Sequence, residues 1–168
     1  MALVIEDGTL VAGANSFATR AEIIAYAAAR GVTLADEEST DFLAVQAIDY
    51  IWSQCLKGEL VAENQTTPFP RTGLVCGDTA EDYEHSIPPA VKTAQLQLAL
   101  DAGNGIILTA SANPSAVLKR SKVGPLEREF FAPVSLTLDS TPPLTVANRW
   151  LAPFVCDGGA FALKSVRV

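Results

Sequence analysis

Residues 117–131 read VLKRSKVGPLEREFF, and the chain changes character across them. Upstream, apolar residues recur at helical spacing; here the sequence turns extended, with Gly124-Pro125 dividing two short runs. The charge also changes sign. Residues 1–101 carry fifteen acids against five bases, a balance of −10, whereas residues 102–168 carry seven bases against four acids, a balance of +3. With Gly124-Pro125 at the tip of a hairpin, Lys122 falls opposite Glu127, Arg120 opposite Glu129, and Val123 pairs with Leu126. Cross-strand pairs of opposite charge contribute from a few tenths to about 1 kcal/mol each. Two readings follow. One is an exposed, salt-bridged hairpin without chemistry. The other is a projecting arm whose bases, Lys119, Arg120, Lys122 and Arg128, face nucleic acid or a neighbouring subunit.

The sequence has 168 residues, which fits a single domain with its own core. Hydrophobic residues make up 49% and charged ones 18%, and the mean hydropathy is +0.24. No apolar run approaches the roughly 20 residues that cross a bilayer, and the start MALVIEDG has no secretory pattern. A soluble chain this apolar is expected to bury surface in a homo-oligomer. Net charge is −7, which argues against non-specific wrapping of nucleic acid while leaving room for a local basic patch. Cys55, Cys76 and Cys156 are too scattered for a disulfide framework or metal cluster and read as buried free thiols. His85 is the only histidine, so no metal or cofactor is expected.

Four helices are predicted. Thr19 and Glu22 have capping-box spacing, and Ile23, Tyr26, Ala27 and Arg30 follow before Gly31. The second helix begins among Asp36, Glu37, Glu38 and Asp41, favoured at a helix start. Its apolar face is read as Phe42, Val45, Ile48, Trp52 and Cys55, ending at Gly58. A third starts at Ser86 as N-cap, buries Ile87, Val91, Ala94 and Leu98, and closes at Gly103 and Gly105. A last short helix holds Val146, Trp150 and Leu151 behind Thr141-Pro142-Pro143 and ends at Pro153.

Between the second and third helices, residues 59–86 form a long polar connection. Its centre, Phe69-Pro70-Arg71-Thr72-Gly73, reads as a fixed turn in which Arg71 clamps an acidic neighbour. Asp78, Glu81, Asp82 and Glu84 surround His85 and suggest, weakly, a nuclease-like acidic site. Residues 134–138 alternate as a further extended segment. The tail carries Phe161, Leu163, Lys164, Val166 and Arg167 behind a Gly-Gly hinge. The expected class is mainly α: a small bundle of about four helices with a projecting β-hairpin and extended N- and C-terminal arms. Within one domain, 1–168, the divisions are an arm over 1–18, a helical body over 19–108, the hairpin region over 115–138, a short helix over 141–155 and a tail over 156–168.

Enzyme templates fail throughout. There is no GxxxxGK[ST], GxGxxG after a strand, HExxH or GxSxG, and one histidine leaves little for a triad. The expectation is a protein that is not an enzyme.

Several stretches together resemble a known set. They are MALVIEDGTLVAGANSFATRAEIIAYAAARG, FPRTG, SIPPAVKTAQLQLAL, KRSKVGPLEREF and LAPFV. In this order they resemble small tailed-bacteriophage proteins of the family described as DnaT-like single-stranded-DNA-binding proteins, which is similar to head–tail connector (adaptor, head-completion) proteins. The connector resemblance implies a structural virion protein: a ring, commonly dodecameric, between portal and tail around the DNA channel. Its partners would be the portal protein, a tail or stopper protein, and DNA passing without sequence-specific contact. Its place would be the virion neck, after assembly in the host cytoplasm. The hairpin would be Val117–Phe131 and the portal-facing tail Phe161–Val168. The chain departs from the commoner pattern at Arg128 and in its short tail. The family label implies the second reading, single-stranded-DNA binding in phage replication, with Phe130 and Phe131 beside Lys119 and Arg128 as stacking candidates.

Overall fold

A computed structural model describes residues 2–76, 79–80, 83–108, 120–123, 126–129 and 145–156. Helix α1 (Arg20–Ala28) begins at the capping box read from the sequence: the Thr19 side chain accepts from the Glu22 amide, and the Glu22 carboxylate accepts from the Thr19 amide at 2.8 Å. Helix α2 spans Glu38–Trp52 and α3 spans Pro89–Gly103. Helix α4 (Thr145–Leu151) runs into a 3₁₀ turn, Ala152–Phe154. Helix α3 is the centre of the bundle, packed against α2, α4 and α1. The class is mainly α, as expected.

The core is built from Ile23 and Ala27 of α1, Ala44, Ala47 and Ile51 of α2, Val91, Ala94 and Leu98 of α3, and Ala147, Leu151 and Phe154 from the last helix and turn. Each large side chain buried there is worth about 1.5–3 kcal/mol of transfer free energy. Alanines on the facing sides of α2, α3 and α4 let the backbones approach closely. An aromatic chain closes the core: Phe17 meets Phe69 edge-on at 6.4 Å, Phe69 meets Phe154 at 5.8 Å, and Phe154 meets Tyr83 at 6.1 Å. Such pairs add about 0.5–1.5 kcal/mol beyond burial.

The phase of α2 corrects the sequence reading. Its buried stripe is Thr40, Asp41, Ala44, Ala47, Ile48, Tyr50 and Ile51, while Phe42 and Trp52 are exposed. The helical period was right, but the largest residues were taken for the inward ones. Close packing on α3 selects alanine there, and Asp41 is admitted because Arg20 meets it with two short bonds, Nε to Oδ1 at 2.7 Å and Nη2 to Oδ2 at 2.6 Å. That charge-assisted fork holds the Asp41 carboxyl below the usual carboxylate range, against the opposing push of desolvation. Helix α3 differs at its start: its N-cap is Pro88, not Ser86.

The N-terminal segment doubles back over the core. Ile5 bridges Ser16, and the buried Glu6 carboxylate accepts from the amides of Gly8, Leu10 and Val11 at 2.8–3.0 Å. Gln95 then ties this segment to the bundle. Its Oε1 accepts from the Phe17 amide at 2.9 Å, and its Nε2 donates to Ser16 Oγ at 2.8 Å and to the Ala44 carbonyl at 3.2 Å.

Within the connection over 59–86 the chain forms two short antiparallel ladders, β1 (Glu59–Leu60) with β2 (Arg71–Thr72) and β3 (Val75–Cys76) with β4 (Thr79–Ala80). The hairpin is present in the register read from sequence. Strand β5 (Arg120–Val123) pairs antiparallel with β6 (Leu126–Glu129), setting Arg120 opposite Glu129, Ser121 opposite Arg128, Lys122 opposite Glu127 and Val123 opposite Leu126. Lys119, Phe130 and Phe131, the alternation over 134–138, the residues proposed to cap the last helix and the tail with Phe161, Leu163, Lys164, Val166 and Arg167 lie outside the described residues.

Candidate nucleic-acid interface

A single-strand site needs flat side chains on which bases stack and cations that meet the backbone. The helical body satisfies most of its own cations. Arg20 is held by Asp41 and Asp36, and Lys92 by Glu22 at 2.7 Å. Arg30 lies over the Tyr26 ring, 3.3 Å from its centroid.

Arg71 is a clamp, but not on an acid. Its guanidinium donates to backbone carbonyls of Lys57 and Gly58 at 2.8 Å and more loosely to those of Leu56 and Pro68 at 3.4 Å. Burial depresses its pKa from the ordinary arginine value. The chain past the end of α2 turns its carbonyls inward, and a five-donor fork is the side chain that serves several of them together. The expected acidic partner is replaced by backbone, and Arg71 is a structural residue.

The end of the bundle where α2 finishes is built differently. There Tyr50 of α2 reaches α4, its Oη donating to Asn148 Oδ1 at 2.8 Å. Past both helices, the Lys57 amide donates to the Phe154 carbonyl at 2.8 Å and the Cys156 amide to the Cys55 carbonyl at 2.7 Å. Leu56 bridges Val155 antiparallel, Lys57 Nζ donates to the Pro153 carbonyl at 3.2 Å, and a disulfide joins Cys55 to Cys156. The pairing corrects the reading of free thiols: the sequence separates these cysteines by 101 residues, but the fold brings their Cα atoms to 5.5 Å.

On this end sit both tryptophans of the chain, Trp52 and Trp150, each 45% exposed. Each follows by two residues its partner in the Tyr50–Asn148 contact, near the C-terminal ends of α2 and α4. Arg149 and Val146 are exposed on α4 beside Trp150. Arg149 makes no ion pair among the described residues. It lies in the last turn of its helix, where carbonyl dipoles favour a cation. An exposed indole with a guanidinium next to it in the chain suits a base and its phosphate. The sequence reading put Trp52 on the apolar face of the second helix and placed Trp150 only as a member of the last one; the signal that marks the pair is the nearby Arg149.

The hairpin is the second basic element. Its register sets two of its bases across from acids. Of the acidic group around His85, residues 78, 81 and 82 lie outside the described residues; among the described residues no cluster of three His, Cys, Asp or Glu could hold a metal. A cleft of roughly 420 Å³ beside α2, lined by Gln46, Asp49, Ile106 and Ile107 among others, offers a carboxylate and no base, and so does not suit phosphate.

A family model described as "Putative DnaT-like ssDNA binding protein" matches residues 1–168. No curated protein and no solved structure matches the chain. The family match overturns the connector expectation, and with it the structural role of joining head to tail. A resemblance of ordered stretches does not by itself fix function. What the family description supports is the second reading, single-stranded-DNA binding.

Proposed function

The chain belongs to the DnaT-like single-stranded-DNA-binding family over all 168 residues, and from that premise we propose that it is a non-catalytic protein that binds single-stranded DNA. The family match carries the reading. The half-exposed Trp52 and Trp150 with Arg149 support it with a surface of suitable chemistry, and the hairpin bases Lys119, Arg120, Lys122 and Arg128 supply phosphate contacts. With a net charge of −7, stacking rather than bulk electrostatics provides most of the affinity.

The test uses the protein's own fluorescence, because its two tryptophans are both in the candidate surface. Titration with an oligo-dT strand quenches that emission, and affinity falls with salt with a slope of about −0.7 per phosphate contacted. Trp52→Ala and Trp150→Ala each weaken binding, by about 5- to 150-fold at ~1–3 kcal/mol per stacked base. A wild-type protein that shows neither quenching nor salt-dependent affinity for the strand overturns the proposal.

A further inference from the structure

The disulfide lies at the same end of the bundle as the tryptophans, and its position gives it leverage there. Cys55 is exposed, three residues beyond Trp52, and Cys156 follows the 3₁₀ turn that ends α4. Helix α4 has seven residues, far fewer than an isolated helix needs to hold its shape in water. It is helical because it is docked. The docking rests on the buried Ala147, Leu151 and Phe154, on the Tyr50–Asn148 bond, on the backbone bonds of the bridge, and on the one covalent tie. Removing that tie acts directly on the helix that carries Trp150 and Arg149.

We propose that Cys55 and Cys156 form a redox latch on the single-strand surface. Oxidised, the pair ties the chain just past the turn that ends α4 to the chain just past α2; reduced, it loosens α4 and weakens binding. The latch's effect on DNA rests on the function proposed above, but its effect on α4 does not. The chemistry is thiol–disulfide exchange with a small-molecule disulfide such as oxidised glutathione. One cysteine thiolate attacks the glutathione disulfide, releasing one glutathione and leaving a mixed disulfide. The second thiolate then displaces the other glutathione. Two protein thiols and one glutathione disulfide become one protein disulfide and two glutathione thiols. The exposure of Cys55 gives the reagent its access.

The experiment uses the full chain carrying Cys76→Ser, which leaves only the latch cysteines, equilibrated across ratios of reduced to oxidised glutathione. Alkylation and mass spectrometry read the disulfide, amide hydrogen exchange reads residues 145–156, and oligo-dT titration reads affinity. The expected result is faster exchange across α4 in the reduced form, with at least fivefold weaker binding to the strand. Cys156→Ser should behave as permanently reduced, and dithiothreitol should reproduce its exchange pattern in the wild type. Equal exchange across α4 in both forms, or failure of the two cysteines to oxidise at any ratio, overturns the latch. Equal dT affinity in both forms overturns its control of binding while the single-strand function stands. Loosening of α4 with no dT binding in either form supports the latch and removes the DNA-binding function instead.

Discussion

Gln95→Leu tests whether the buried amide holds the N-terminal segment onto the bundle. Gln95 is fully buried, and its amide makes three hydrogen bonds, to Phe17, Ser16 and Ala44. Leucine removes all three, but not with equal cost. Ser16 Oγ still donates to the Ala18 carbonyl at 2.6 Å and accepts from its amide at 3.1 Å. The Ala44 carbonyl sits inside α2, where the helical ladder serves it. Only the Phe17 amide is orphaned, in a residue 2% exposed. An unsatisfied buried donor costs about 1–3 kcal/mol, and the imperfect fit of a shorter branched side chain adds about 1 kcal/mol. The expected loss is therefore about 3 kcal/mol, which for a domain of this size lowers Tm by about 6–12 °C. Urea unfolding followed by circular dichroism, with the disulfide intact, measures it. Gln95→Glu gives a second view. It keeps an acceptor for Phe17 but turns a carboxylate toward Ser16 Oγ and a carbonyl, so it destabilises at neutral pH and recovers as acid protonates it. A loss under about 0.5 kcal/mol for the leucine variant, within the range of an indifferent surface change, would refute the argument.

Further outcomes follow from other sites. Because Arg20 depresses the Asp41 pKa, the pair contributes stability above the unfolded carboxylate value near about pH 4, and that stability is lost as pH falls through the lower folded value. Asp41→Asn should lower Tm at neutral pH and flatten its fall in acid; an acid limb identical to wild type contradicts this. Gly8 has φ +107°, and a Cβ there would meet backbone atoms of His85 and Ser86, the nearest at 2.5 Å, so Gly8→Ala should cost about 2 kcal/mol or more in urea unfolding. Replacing Lys119, Arg120 and Lys122 together by serine should reduce the salt slope of dT binding by up to about 2, at roughly 0.7 per lost contact, and an unchanged slope removes the hairpin from the site.

What the sequence made legible was whatever rests on local rules. The capping box at Thr19 and Glu22 is fixed by a three-residue spacing, and the hairpin register by Gly124-Pro125 and the charges around it; both are found as read. What depends on the approach of distant segments was not legible. Periodicity gave α2 but could not show that alanines would face α3 and leave Phe42 and Trp52 outside. Arg71 reads as a clamp on an acidic neighbour, whereas the chain turns four carbonyls toward it. Cys55 and Cys156 are unrelated in a string and neighbours in the fold. The candidate surface was missed for the same reason, since a tryptophan at helical spacing is ordinarily a core residue. The functional error had another source, a resemblance weighted toward connectors when the family's description points to DNA.

The ring of Phe154 wedged beside Phe69 and Tyr83 also sets when the protein can finish folding. A ribosome adding about 5–20 residues each second releases α1, α2 and α3 early. The slot that Ala147, Leu151 and Phe154 fill stays open until residue 154 has emerged. A nascent chain halted before residue 145 therefore offers an apolar cleft to chaperones and proteases, and a nonsense codon there should deplete the protein rather than leave a shortened, working one.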